Sequence, residues 1–156
     1  MPNTCIVVAD GARARLFTVV TEDSPRRRLK LVEHQALVNP RARAHGESSV
    51  SQVKSERNTN RQAGPVHPIG AAREQHRLEH ERRFGAEIVH CATALVSGWR
   101  GGRLILIAEP RLLGLMRERL RRALDSAIKL EQLAKDYSGL STAELERLFA
   151  SQRLIQ

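Results

Sequence analysis

Hydrophobic and polar positions change period several times along the chain. Residues 5–9 (CIVVA) form a short continuous apolar run rich in β-branched side chains, the pattern of a buried strand. Asp10-Gly11 interrupts it with a turn dipeptide. Small or apolar residues then alternate with Arg13 and Arg15 before residues 16–20 become largely apolar, predicting a half-buried partner strand. A second turn falls at 22–25. The loose alternation of residues 29–38 (LKLVEHQALV) predicts a third strand, and hence an antiparallel meander. His34 in that strand reads as a buried, hydrogen-bonded or half-exposed histidine rather than a ligand.

Over residues 71–99 the period becomes helical. Phe84, Ile88, Cys91, Ala92, Leu95 and Trp99 recur at spacings of three and four and make one apolar stripe. The stripe marks Phe84 and Trp99 as core. Gly101-Gly102 is expected to close that helix. The run RLILIA (103–108) predicts a central strand covered on both faces, and Pro110 suits a first helical position. Leu112, Leu113, Met116, Leu120, Leu124, Ala127 and Ile128 predict the next helix. A short strand over 130–135 follows, then a helix opened by Ser141 and Glu144 at capping-box spacing. Strand–helix–strand crossovers beside a meander imply an α/β fold. Its sheet would be mixed and five-stranded, combining the antiparallel meander with parallel strands and covered by helices.

Residues 39–70 break this order. They hold three Pro, three Gly, four Ser and no aromatic residue, and five basic against two acidic side chains. Such a composition buries too little apolar surface to offset chain entropy, so a long basic loop is expected inside a single domain spanning 1–156.

Charge adds a partner class. Against 17 Asp and Glu stand 26 Lys and Arg, 22 of them Arg, for a formal net charge of +9. Guanidinium forks suit phosphate, so an RNA partner is one reading; a solvated Arg-rich surface is the other. With one Trp, one Tyr and three Phe, a base-stacking platform is excluded. The residues assigned to nucleic-acid contact are Arg41, Arg43, Lys54, Arg57 and Arg61 in the loop, and Arg117, Arg121 and Arg122 on the exposed face of a helix. Cys5 and Cys91 match no metal or redox spacing and read as core residues of a reducing compartment. MPNTCIVV has none of the marks of a secretory signal, and no apolar run reaches the ~18 residues of a membrane span. A cytoplasmic location without membrane association is the expectation, and no cofactor is implied. Homo-oligomerisation is not indicated.

Two patterns carry possible catalysis. If the first and fourth strands pair in parallel, Asp10 and Glu109 fall at neighbouring strand ends with Asp136 on the same side. Clustered carboxylates there could hold Mg²⁺ for phosphodiester hydrolysis. Turn and cap chemistry explain Asp10 and Glu109 without a metal, and that reading is favoured over the metal site. His76-Arg77-Leu78-Glu79-His80 matches the H-x-x-E-H zinc pattern, with His76 and His80 on one helix face. The neighbouring Arg77, Arg82 and Arg83 oppose a cation, and solvated helix charge accounts for the motif.

VVADGARARLF, LILIAEPRLLGLMRERL and KDYSGLSTAELERLF together resemble the signature blocks of the bacterial host attachment protein family. That family is similar to the middle domain of archaeal and eukaryotic peptide-chain release factors and their ribosome-rescue relatives. The resemblance runs from Cys5 to about Phe149 and implies a ribonuclease H-like three-layer fold. Release factors carry a Gly-Gly-Gln tip between the third strand and the first long helix. The corresponding stretch here, NRQAGPVHPIGAAREQ, has Gln62, Gly64 and Gly70 but no Gly-Gly-Gln, so peptide release is not carried over. What the resemblance leaves is a non-enzymatic factor that contacts the ribosome, tRNA or other RNA. The alternatives are the Mg²⁺-dependent nuclease and a protein-interaction module with no RNA role.

Overall fold

The computed structural model describes residues 3–40 and 67–155. Three antiparallel strands open the chain: β1 (Thr4–Ala9), β2 (Arg13–Glu22) and β3 (Arg28–Val38). A long helix α1 (His67–Val96) leads to β4 (Gly102–Ala108), then α2 (Pro110–Ala123), β5 (Ile128–Ala134) and α3 (Thr142–Ser151). The strands form one mixed sheet in the order β3-β2-β1-β4-β5, with β1, β4 and β5 parallel. No helix among the described residues is long and apolar enough to cross a membrane.

β1 is central and buried along its whole length. Its side chains alternate between two cores, as the two-residue period of a strand requires. Cys5, Val7 and Ala9 join Leu104 and Leu106 of β4 beneath Phe84, Ile88 and Ala92 of α1 and Leu112, Met116 and Leu120 of α2. Ile6 and Val8 join Phe17, Ile105 and Ile107 beneath Leu145 and Phe149 of α3. Helices therefore cover both faces. Each fully buried aliphatic side chain contributes roughly 1.5–3 kcal/mol, so the β1–β4 pair holds much of the stability. Cys5 lies in this core, where burial pushes its thiol up to about 12. Trp99 packs against the edge of the same core.

Element boundaries differ from the sequence expectation most at the helix ends. α1 begins at His67, four residues before 71, and ends at Val96 rather than Trp99, because Gly98 turns the chain with φ 81°. Leu124 ends α2 in an extended conformation, so Ala127 and Ile128 do not extend that helix. Asp125 turns the chain instead: its Oδ1 accepts from the Ala127 amide at 2.9 Å and its carbonyl from the Ile128 amide at 2.9 Å, and Ile128 starts β5. In β3 the register shifts opposite Leu16 and Phe17, which pair with Gln35 and Glu33. His34 is the extra residue of that bulge, with Nε2 2.6 Å from Thr18 Oγ1.

One arginine fastens α3 to the sheet. From β2, Arg15 Nε donates to Glu33 at 2.8 Å, Nη1 to the Leu140 carbonyl at 2.6 Å and Nη2 to Thr142 Oγ1 at 2.9 Å. Its guanidinium also lies 4.9 Å from the Phe17 ring centroid. Ser141 caps the helix by accepting from the Glu144 amide at 3.2 Å. Glu146 reaches the edge of the sheet and accepts from the Leu31 amide at 2.9 Å, which blocks that position of edge strand β3 against pairing.

Arg15→Lys is expected to lose nearly as much stability as Arg15→Ala, roughly 2–3 kcal/mol in urea titrations, because an ammonium cannot span three acceptors. At Gly102, φ is 143° and an added Cβ would meet the Asn3 carbonyl oxygen, whereas Gly101 faces open space. Gly102→Ala is expected to cost about 1–3 kcal/mol and Gly101→Ala under about 0.5 kcal/mol, read as the difference in urea midpoint.

Candidate functional site

The C-terminal ends of the three parallel strands form one crest. Ala9 of β1 pairs with Ala108 of β4, and Ala108 with Ala134 of β5. Asp10 and Glu109 consequently follow paired residues, and Asp136 lies just past the third strand. The topology thus assembles the three carboxyl-bearing positions on one side of the sheet, and the hydrogen bonding determines what they can do.

Asp10 is committed to the turn. Its Oδ1 accepts from the amides of Ala12 at 2.7 Å and Arg13 at 2.8 Å, and its own amide donates to the Arg13 carbonyl at 2.9 Å. Its Oδ2 takes the Ser138 hydroxyl at 2.7 Å, with Arg13 Nε 3.6 Å away. Ser138 is buried, and its Oγ is also 2.6 Å from Asp136 Oδ1, which accepts in addition from the Ser138 amide at 3.2 Å. A hydroxyl has one proton, so Ser138 donates to one carboxylate at a time. The result is a clasp between the β1–β2 turn and the β5–α3 connection. Asn39, also buried, adds a second tie: its amide donates to the Ala12 carbonyl at 2.7 Å and its Nδ2 to the Gly11 carbonyl at 3.1 Å.

Partial burial raises the Asp10 pKa, but Ser138, the two backbone amides and the Arg13 guanidinium outweigh it and hold the carboxyl below its ordinary value. Both of its oxygens are engaged. Among the described residues, no three Asp, Glu, His or Cys side chains stand together as a metal cage. Glu109 sits at the N-cap of α2 without capping it; its Oε1 lies 3.9 Å from where a Cβ on Gly11 would stand.

On α1, the His76 and His80 rings stack with centroids 6.4 Å apart. Glu79 between them is bonded by Arg83 at 3.1 Å, and Glu74 by Arg77 at 2.9 Å. The acidic group of the motif is therefore engaged by a guanidinium.

The basic residues divide into two sets. Arg41, Arg43, Lys54, Arg57 and Arg61 lie outside the described residues. Arg117, Arg121 and Arg122 are all exposed on α2, but they do not form one row. At about 3.6 residues per turn, Arg117 and Arg121 share one flank, while Arg122 falls on the opposite flank with Arg119. That second flank faces α1, as the Arg111–Glu81 pair at 3.3 Å shows.

Ser138 and Asn39 carry the crest, yet neither stands out in the sequence. An Asp-x-Ser spacing at 136–138 is the one local signal, and its meaning depends on Asp10 arriving from the other end of the chain. Asp10→Ala should lower the melting temperature at neutral pH. Asp10 has a depressed folded-state pKa, so its stabilisation is full above the ordinary value of 3.8 and is lost as pH falls through the folded value. The gap between wild type and Asp10→Ala should accordingly close in melts run below pH 3.8.

The solved structures compared include the crystal structure of the type II variant of the Aquifex aeolicus Ppx/GppA phosphatase, at 10% identity and a TM-score of 0.37. The alignment covers 85% of this chain and 36% of that one, so the chain spans about a third of its length. No curated protein matches the sequence. The family model described as "Protein required for attachment to host cells" matches residues 5–148. That match takes in all five strands and α1 and α2 whole, and the chain belongs to this host attachment family.

Proposed function

We propose that this protein is a non-enzymatic cytoplasmic factor that binds the phosphate backbone of ribosomal RNA or tRNA through Arg-rich surfaces. One observation carries the reading. On α1 and α2, Glu74, Glu79, Glu81 and Glu118 are each matched by Arg77, Arg83, Arg111 and Arg121. Arg82, Arg117, Arg119 and Arg122 remain with no ion-pair partner among the described residues. Uncompensated guanidinium groups on adjacent helices suit an extended polyanion.

The strand order β3-β2-β1-β4-β5 with antiparallel β2 supports a ribonuclease H-like fold, and with it the likeness to release-factor middle domains. A single sheet covered on both faces supports one domain. Of the loop expected over 39–70, residues 67–70 belong instead to α1, and residues 41–66 lie outside the described residues. A requirement for host attachment needs no adhesin, because a factor acting on translation affects attachment through the proteins it helps to make.

Sedimentation with ribosomes tests the proposal. Association is expected at ~50 mM salt and should fall by orders of magnitude toward ~200 mM if several phosphates are contacted. Absence from ribosomal fractions at low salt would overturn the reading, and salt-independent association would indicate a protein partner.

A further inference from the structure

α1 and α2 converge on a groove of about 810 Å³. On the α1 side Gln75, Leu78, Arg82 and Ala86 recur at spacings of three and four and share a face, and Arg119 faces them from α2. The floor is apolar at Leu78 and Ala86, and the rim is cationic. Arg83 at the rim is bonded to Glu79 at 3.1 Å. Arg82 and Arg119 have no ion-pair partner among the described residues, so two guanidinium groups on facing helices look onto the same space uncompensated. An anion lying between them would relieve that repulsion.

We infer that this groove is the seat of an RNA phosphodiester backbone, with Arg82 and Arg119 each binding a phosphate. The inference rests on the proposed RNA binding and assigns its central contacts to Arg82 and Arg119. Planar guanidinium forks match phosphate oxygens two at a time. From Gln75 to Ala86 the α1 face runs about 16 Å at 1.5 Å per residue. That length exceeds a single phosphate, so the groove matches a short run of backbone rather than a lone ion. Its lining has no aromatic side chain, and bases have nothing to stack on. Recognition is therefore of backbone, independent of sequence. The apolar part of the lining is only Leu78 and Ala86, little to anchor the side chains of a peptide, which favours RNA over an acidic protein segment.

The test compares two double variants of equal net charge, Arg82→Gln/Arg119→Gln in the groove and Arg26→Gln/Arg27→Gln in the β2–β3 turn. Binding of 20-nucleotide oligouridylate and oligoadenylate is followed by fluorescence anisotropy at several salt concentrations. All four positions are exposed, and circular dichroism verifies folding. The groove variant is expected to weaken binding more than tenfold. It should also reduce the log–log salt slope by about 1.4, two phosphates at ~0.7 each for single strands. The turn variant should change affinity less than about twofold, the size of a general charge effect. Ala86→Glu, which places a carboxylate in the floor, should reproduce the groove defect without removing an arginine. Equal losses in the two double variants, or a larger loss in the turn variant, overturn the groove assignment and leave RNA binding standing. A wild-type protein that binds neither oligonucleotide at ~50 mM salt, where phosphate contacts are strongest, overturns both. Tighter binding of a poly-glutamate peptide, lost in the groove variant, overturns RNA in favour of an acidic protein partner.

Discussion

β1 has no side exposed to water, and the rest of the molecule is arranged around that constraint. A strand buried on both faces needs hydrogen-bonding neighbours on both edges and apolar cover above and below. β2 and β4 supply the edges, one antiparallel and one parallel. The parallel neighbour requires a crossover, which α1 provides, and α1 with α2 then shields one face of the sheet while α3 shields the other. Because β1, β4 and β5 run the same way, their C-terminal ends fall together and gather the polar groups of three separate segments.

That crest has the outline of a carboxylate site and the bonding of a structural clasp. Asp10 satisfies two amides of its own turn and the hydroxyl of Ser138, and Ser138 lies against Asp136 as well. The clasp joins two segments more than a hundred residues apart, and Arg15 joins the same two regions a short distance away through Leu140 and Thr142. Much of the polar chemistry on this side of the sheet holds α3 and its approach in place. On the other face, α1 and α2 carry arginines with no ion-pair partner among the described residues.

On those helices, pairing separates the arginines into two classes. Some neutralise a glutamate three or four residues away or on the facing helix; others have no counter-charge among the described residues. Net charge records only the sum, and the distribution determines where a polyanion can bind. In α2 the rotation of the helix divides its arginines between two flanks, and one of those flanks faces a second basic helix.

Strand and helix identities were legible in the sequence because they depend on periods of about two and 3.6 residues and on near-neighbour signals. The runs CIVVA and RLILIA predict buried strands, Phe84-Ile88-Ala92 a core stripe, and Ser141 with Glu144 a cap. Each is a local property, and family membership was legible for the same reason, through contiguous blocks such as VVADGARARLF. Tertiary structure alone decided the roles of Ser138, Asn39, Arg15, Arg82 and Arg119. Ser138 gains its partner from a turn 128 residues away; Arg15 takes its acceptors from β3 and α3. Arg119 becomes part of a groove only because packing of Gly85 against Met116 and Leu112 brings α1 beside α2. Period and propensity act over a few residues, whereas hydrogen bonds and charge compensation depend on distances that exist only once the chain has folded.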